Sequence, residues 1–128
     1  MGRPIFDEAR IHPAIRSKIA EWHTDIVKEV QDVVAAKDLV VVGMQMNPFP
    51  WKARKLLDAA RIEYTYLEYG SYLSGYRRRL PLKLWTGWQT FPMVFVRGVL
   101  IGGASELEKL LQSGELKQRL EASAGREA

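Results

Sequence analysis

The chain has 128 residues, 47% of them apolar and 27% charged, with 19 basic against 15 acidic residues and no cysteine. That length suits one domain around one core, and a chain of this size buries roughly two-thirds of its unfolded surface. The composition excludes a disordered chain, a disulfide framework, thiolate metal ligands and a thiol nucleophile, while a net charge of +4 is too evenly drawn to name nucleic acid as a partner.

Residues 1–12 carry no clear period and read as a loose arm. Past Pro13, apolar residues at 15, 19, 22, 26, 30 and 33 recur every three or four positions, which predicts an amphipathic helix that restarts at Thr24, a favoured N-cap type. The β-branched run "DLVVVGM" predicts a buried strand. It falls far short of the ~20 apolar residues a membrane helix needs, and no charged-then-apolar leader opens the sequence, so a cytoplasmic protein without a membrane partner is expected.

From Trp51 to Ala60 the spacing of Ala53, Leu56, Leu57 and Ala60 predicts a second helix, with Pro48 and Pro50 where a first turn tolerates them. "EYTYLEY" alternates and predicts a strand. "YLSGYRRRLPLKLWTG" reads as helical, with Pro81 either kinking it or opening a second short helix. "PMVFV" and "VLIGG" flank Arg97-Gly98, a two-residue turn with Gly98 free to take positive φ, so a hairpin is expected. "SELE" puts Ser105 and Glu108 at capping-box spacing before the last long helix, and a short one follows Gly114.

This order of elements, with "TFP" before the hairpin and "GG" before the next helix, resembles the glutaredoxin branch of the thioredoxin fold. The downstream stretch "WTGWQTFPMVFVRGVLIGGASELEKLLQSGEL" is most similar to the monothiol type. The resemblance implies an α/β fold, a four-stranded mixed sheet flanked by helices. It divides the chain into an amino-terminal arm and helical extension (1–23), a glutaredoxin-like domain (24–120) and a frayed tail (121–128).

Aligned on "NPFPWKARKLL", Asn47 stands where the family has its first, nucleophilic cysteine, and Pro50 stands at the fourth position of that motif. The resemblance further implies a glutathione site. Phe91 would offer its backbone beside a cis-proline at Pro92, and Gly102 and Gly103 would let the γ-glutamyl end approach the helix start at Ala104 and Ser105. Lys83 would meet the glycine carboxylate, Glu106 would answer the γ-glutamyl ammonium, and Asn47 and Phe49 complete the expected site residues. Two departures weaken that site: Met44 replaces a frequent lysine, so that Met44→Lys should tighten binding, and Ser105 replaces a frequent acid.

The residues themselves support plainer readings alongside these. Asn47 is a preferred N-cap type, and its amide could equally donate to a bound sulfur. One of Phe49 and Trp51 is expected against the core and the other at a partner surface. Arg77, Arg78 and Arg79 are expected around a solvated helix face. His12 and His23 lack metal-ligand spacing to carboxylates, so no metal site is expected.

Three functions remain open from the sequence. The first is a redox-silent module binding glutathione or a glutathionylated peptide, since thiol–disulfide exchange requires a thiolate that asparagine cannot supply. The second is an enzyme of transferase, isomerase or lyase type, using glutathione's own thiol activated by helix-end N–H groups and Asn47. The third is an interaction or assembly module whose protein partner docks on the extension from Pro13 to Trp22.

Overall fold

The computed structural model describes residues 3–21, 24–45, 47–70 and 76–126, for 20, 21, 24, 76–78 and 122–126 the backbone alone. Trp22 and His23, and the side chains of Arg77 and Arg78, therefore lie outside what is described. Six α-helices and four strands are present among the described residues: α1 (Pro13–Glu21), α2 (Thr24–Ala36), β1 (Leu39–Gly43), α3 (Pro48–Ala59), β2 (Thr65–Glu68), α4 (Tyr76–Thr86), β3 (Met93–Val96), β4 (Val99–Gly102), α5 (Ala104–Ser113) and α6 (Glu115–Arg126). The strands form one sheet in the order β2-β1-β3-β4. In it β1 is parallel to β2 and antiparallel to β3, which pairs antiparallel with β4. This is the thioredoxin-like glutaredoxin fold.

Strand alternation splits the core in two. Every residue of β1 is buried, because helices cover both faces of the sheet. Val40 and Val42, with Met93 and Phe95 of β3, face Ile26 and Val30 of α2 and Leu82 of α4. Leu39 and Val41, with Val94 and Val96, face Ala53 and Leu57 of α3, Leu107 of α5 and Leu116 of α6. Burying each such side chain stabilises the fold by about 1.5–3 kcal/mol, so a charge at Val41 would break the second layer.

The register brings three helix and strand ends together. Val42 near the end of β1 pairs with Met93 at the start of β3, and Val94 pairs with Gly102 at the end of β4. The exit of β1 toward α3, the Phe91–Pro92 segment before β3 and the Gly102–Gly103 entry to α5 therefore share one end of the sheet. The hairpin behind them turns at Arg97 and Gly98, with φ of 50° and 83°, and is pinned by Arg97 Nη1 to Asp38 Oδ1 at 2.7 Å.

Several local expectations are revised by the structure. The arm carries order of its own: Glu8–Arg10 form a 3-10 turn under an Asp7 cap. Beyond it, Arg3 donates to the carbonyls of Leu84 (3.0 Å) and Trp85 (3.3 Å) at the end of α4. Pro81 is carried inside one helix, α4. Arg79 is not on a solvated face. It is 5% exposed, and its Nη1 donates to the Tyr69 carbonyl at 3.1 Å, because its position three residues before Leu82 turns it inward. Phe49 and Trp51 are both exposed, at 57% and 60%. Pro50, Ala53 and Leu57 occupy the buried stripe of α3 instead.

Candidate functional site

Helix α3 starts where β1 ends, and its first turn determines what this end of the sheet can do. Asn47 is the N-cap, in extended geometry, and its Oδ1 accepts the N–H of Phe49 at 2.9 Å. A helix start normally leaves several N–H groups free for an anion. Here Pro48 and Pro50 have none and Phe49's is taken. No N–H of residues 48–50 remains for a bound sulfur, which removes the helix-end donors that thiol activation at this position would use. Among the described residues, the Asn47 Nδ2 amide group is the side-chain donor this helix start retains.

Pro50 is also a packing residue. A Cβ added to Gly43 would stand 2.7 Å from Pro50 Cβ and 2.7 Å from Tyr66 Oη, so the glycine is what lets α3 seat this closely on β1. Beyond Gly43 the chain enters Met44, only 6% exposed and packed in the core layer with Ile26, Val30 and Phe91. The side chain at 44 thus faces the core, and the expectation that Met44→Lys would tighten a ligand contact is replaced by one of a buried ammonium.

The start of α5 has the opposite character. Its N-cap is Gly103, two residues before the Ser105 expected from the sequence, and Glu106 Oε1 accepts the Gly103 N–H at 2.9 Å. Glycine brings no side-chain oxygen to return the bond, so only half of a capping box forms. The N–H groups of Ala104, Ser105 and Glu106 have no hydrogen-bond partner among the described residues, while Leu107 N–H begins the ladder on Gly103 O at 3.0 Å. These three donors and the positive end of the helix dipole suit a carboxylate. Glu106 spends one carboxylate oxygen on the cap, leaving the other for an ammonium.

Between the two helix starts lies a groove of about 230 Å³ lined by Phe49, Trp88, Thr90, Phe91, Pro92, Gly103, Ala104, Ser105 and Glu106. The Phe91–Pro92 peptide bond is cis. Phe91's ring is buried, so it is the backbone that this segment can offer a ligand. Gly103 keeps the floor open: an added Cβ would sit 3.3 Å from Pro92 O and 3.7 Å from Trp88 Nε1. Gly102 is buried with φ of 117°, a conformation in which an added Cβ would strike Glu106 Cγ at 2.7 Å.

The structure thus gathers Phe49, Phe91, Pro92, Gly103, Ala104, Ser105 and Glu106 around one groove. Asn47 stands at its α3 end as a cap, and Gly102 lies behind it. Lys83 does not line the groove; its Nζ lies 5.7 Å from the centre of the Phe91 ring, on the α4 side of the same segment. Sequence reasoning missed Trp88 and Thr90. Their signal was proximity, as both fall within four residues of Pro92 in "WQTFP". His12 has a local task, its Nδ1 accepting the Ala14 N–H at 3.0 Å near the start of α1.

Comparison with known proteins decides the family. A glutaredoxin-like protein of Dictyostelium discoideum is 42% identical over 102 residues, spanning 80% of this chain and 83% of its own. The chain belongs to the glutaredoxin family. A glutaredoxin family model matches residues 39–101, from β1 into β4. Glutaredoxin 4 of Buchnera aphidicola is 28% identical across 75% of this chain and 91% of its own. Among solved structures, a buckwheat glutaredoxin in complex with glutathione superposes with a TM-score of 0.71 at 26% identity, covering 81% of this chain and 94% of that one. Against this family background, the chain is a glutaredoxin-like protein with no cysteine anywhere in its 128 residues.

Proposed function

We propose that this glutaredoxin-like protein is a binding module for glutathione or a glutathionylated peptide, without thiol–disulfide oxidoreductase activity. The observation that carries the reading is the contrast between the two helix starts. At α3 the position of the family's nucleophile is an asparagine engaged in capping, and at α5 the three residues whose N–H groups have no partner among the described residues line a groove. Disulfide exchange proceeds through a mixed disulfide with a cysteine thiolate, and this chain has no cysteine. Carboxylate recognition needs only the N–H groups that are present. A family relative solved with glutathione supports glutathione as the ligand class.

The test has two arms. In a coupled assay with glutathione, its reductase and a mixed-disulfide substrate, the protein should give no turnover above a heat-killed control; turnover that survives repurification would refute redox silence. Calorimetry or amide-shift mapping should detect glutathione at millimolar concentration, with shifts centred on Gly103–Glu106 and Phe91. A spectrum unchanged at that concentration would refute the binding reading. In that event a protein-docking role gains weight, supported by Ile15 and Ile19, exposed on α1 at 45% and 55%.

A further inference from the structure

We infer that the groove is selective for the state of the ligand's sulfur, taking glutathione whose sulfur is alkylated, an uncharged thioether, in preference to one whose sulfur carries charge. This rests on the reading of the groove as a glutathione site and adds a substrate class to it.

The two ends of the groove differ in what they can stabilise. At the α5 end, three N–H groups without partners among the described residues await a carboxylate. A tripeptide held there by its γ-glutamyl carboxylate carries its sulfur toward Phe49 and position 47. That helix start offers an anion little: two first-turn residues are proline, the single N–H between them is bonded to Asn47 Oδ1 at 2.9 Å, and the side-chain donor left among the described residues of this turn is the neutral Asn47 Nδ2 amide. A sulfur anion leaving water needs several donors or a cation beside it. The cations nearby do not reach that end: Lys52 of α3 pairs with Glu108 of α5 at 3.4 Å, and Lys83 of α4 lies outside the groove lining, its Nζ 5.7 Å from the centre of the Phe91 ring.

What that end does offer is apolar surface. Phe49 lines the groove yet is 57% exposed, a large uncovered ring two residues after the cap. An alkyl group on the ligand's sulfur covers it and removes the S–H whose ionisation the site opposes. Each methylene buried is worth about 0.8 kcal/mol, so two of them tighten binding by about tenfold. The exposed ring and the donor-poor helix start are both satisfied by one change in the ligand.

The experiment is a set of calorimetric titrations of the full chain with glutathione, S-hexylglutathione, glutathione sulfonate and S-hexylcysteine. The expected order is S-hexylglutathione tightest, by about tenfold over glutathione, and glutathione sulfonate weakest. S-hexylcysteine, which lacks the γ-glutamyl carboxylate, should bind at least about tenfold more weakly than S-hexylglutathione, as loss of a charge-assisted hydrogen bond dictates. Phe49→Ala, a change at an exposed residue, should reduce the S-hexylglutathione to glutathione affinity ratio to about threefold or less, as expected when the aromatic surface is gone. Sulfonate binding as tightly as S-hexylglutathione, S-hexylcysteine matching S-hexylglutathione, or an unchanged ratio in Phe49→Ala would overturn the inference while leaving a glutathione site standing. Failure of all the γ-glutamyl ligands to bind would overturn both.

Discussion

Replacing Asn47 by alanine separates a cap from a ligand group. The Asn47 Oδ1 to Phe49 N bond, at 2.9 Å, is the one side-chain cap of α3, and the prolines on either side of Phe49 have no N–H to share the task. Losing such a cap costs about 1 kcal/mol, within a range of about 0.5–2. For a chain of this length the unfolding entropy is about 0.27 kcal/mol/K, so Tm should fall by about 4 °C in Asn47→Ala. Asn47→Ser should keep most of the stability. Asn47→Asp should match or exceed the parent by about 0.3–1 kcal/mol, because a carboxylate favours the helix start. Urea unfolding of the four proteins, followed by far-UV circular dichroism at pH 7, reads these differences as shifts in midpoint at constant slope. If Asn47→Ala were as stable as Asn47→Ser and Asn47→Asp, the cap would contribute nothing and Asn47 would have to be explained by a ligand alone.

Four further outcomes follow from the same geometry. Met44→Lys should destabilise by at least about 2 kcal/mol, since residue 44 is packed in the core, and part of the loss should return as the buried ammonium gives up its proton above neutral pH; an unchanged urea midpoint would show that the side chain reaches water. Gly43→Ala should cost about 1–3 kcal/mol, measured the same way, because its Cβ would stand 2.7 Å from both Pro50 Cβ and Tyr66 Oη. Lys83→Ala should weaken glutathione binding about three- to tenfold in calorimetry, as expected for loss of one partly exposed cation, with no change in affinity counting against any contact from α4. Burial, reinforced by its hydrogen bond to Glu68 at 3.0 Å, pushes the Tyr66 phenol up to about 12 from its ordinary 10. The folded state holds that proton more tightly than the unfolded chain, so the associated stability is complete below pH 10 and is lost as pH rises toward 12. Tyr66→Phe should flatten that segment of the stability profile, and an equally steep profile in the variant would assign the loss elsewhere.

Local pattern in the sequence was sufficient for the elements and the family. A continuous β-branched run marked β1, alternation marked β2, three-four spacing marked α2 and α3, and Arg97-Gly98 between two apolar runs marked the β3–β4 hairpin, because each signal is set by neighbours within a few residues. The missing cysteine and the prolines flanking Phe49 were likewise plain, and they rule out chemistry through a protein thiol without any coordinates. Direction and depth were another matter, since they depend on what packs from elsewhere in the chain. Met44 reads as a lysine substitute at a ligand site, yet the pleat turns it into the layer under α2. Arg79 reads as one of three solvated arginines until the helix face it shares with Leu82 aims it at the Tyr69 carbonyl. Gly103 displaces Ser105 as the cap of α5 because the hairpin delivers the chain there in extended geometry, with Glu106 in reach of its N–H. Only the packed fold could show that α3 begins with its donors spent and α5 with its donors free, for a hydrogen bond is satisfied in space and not in sequence.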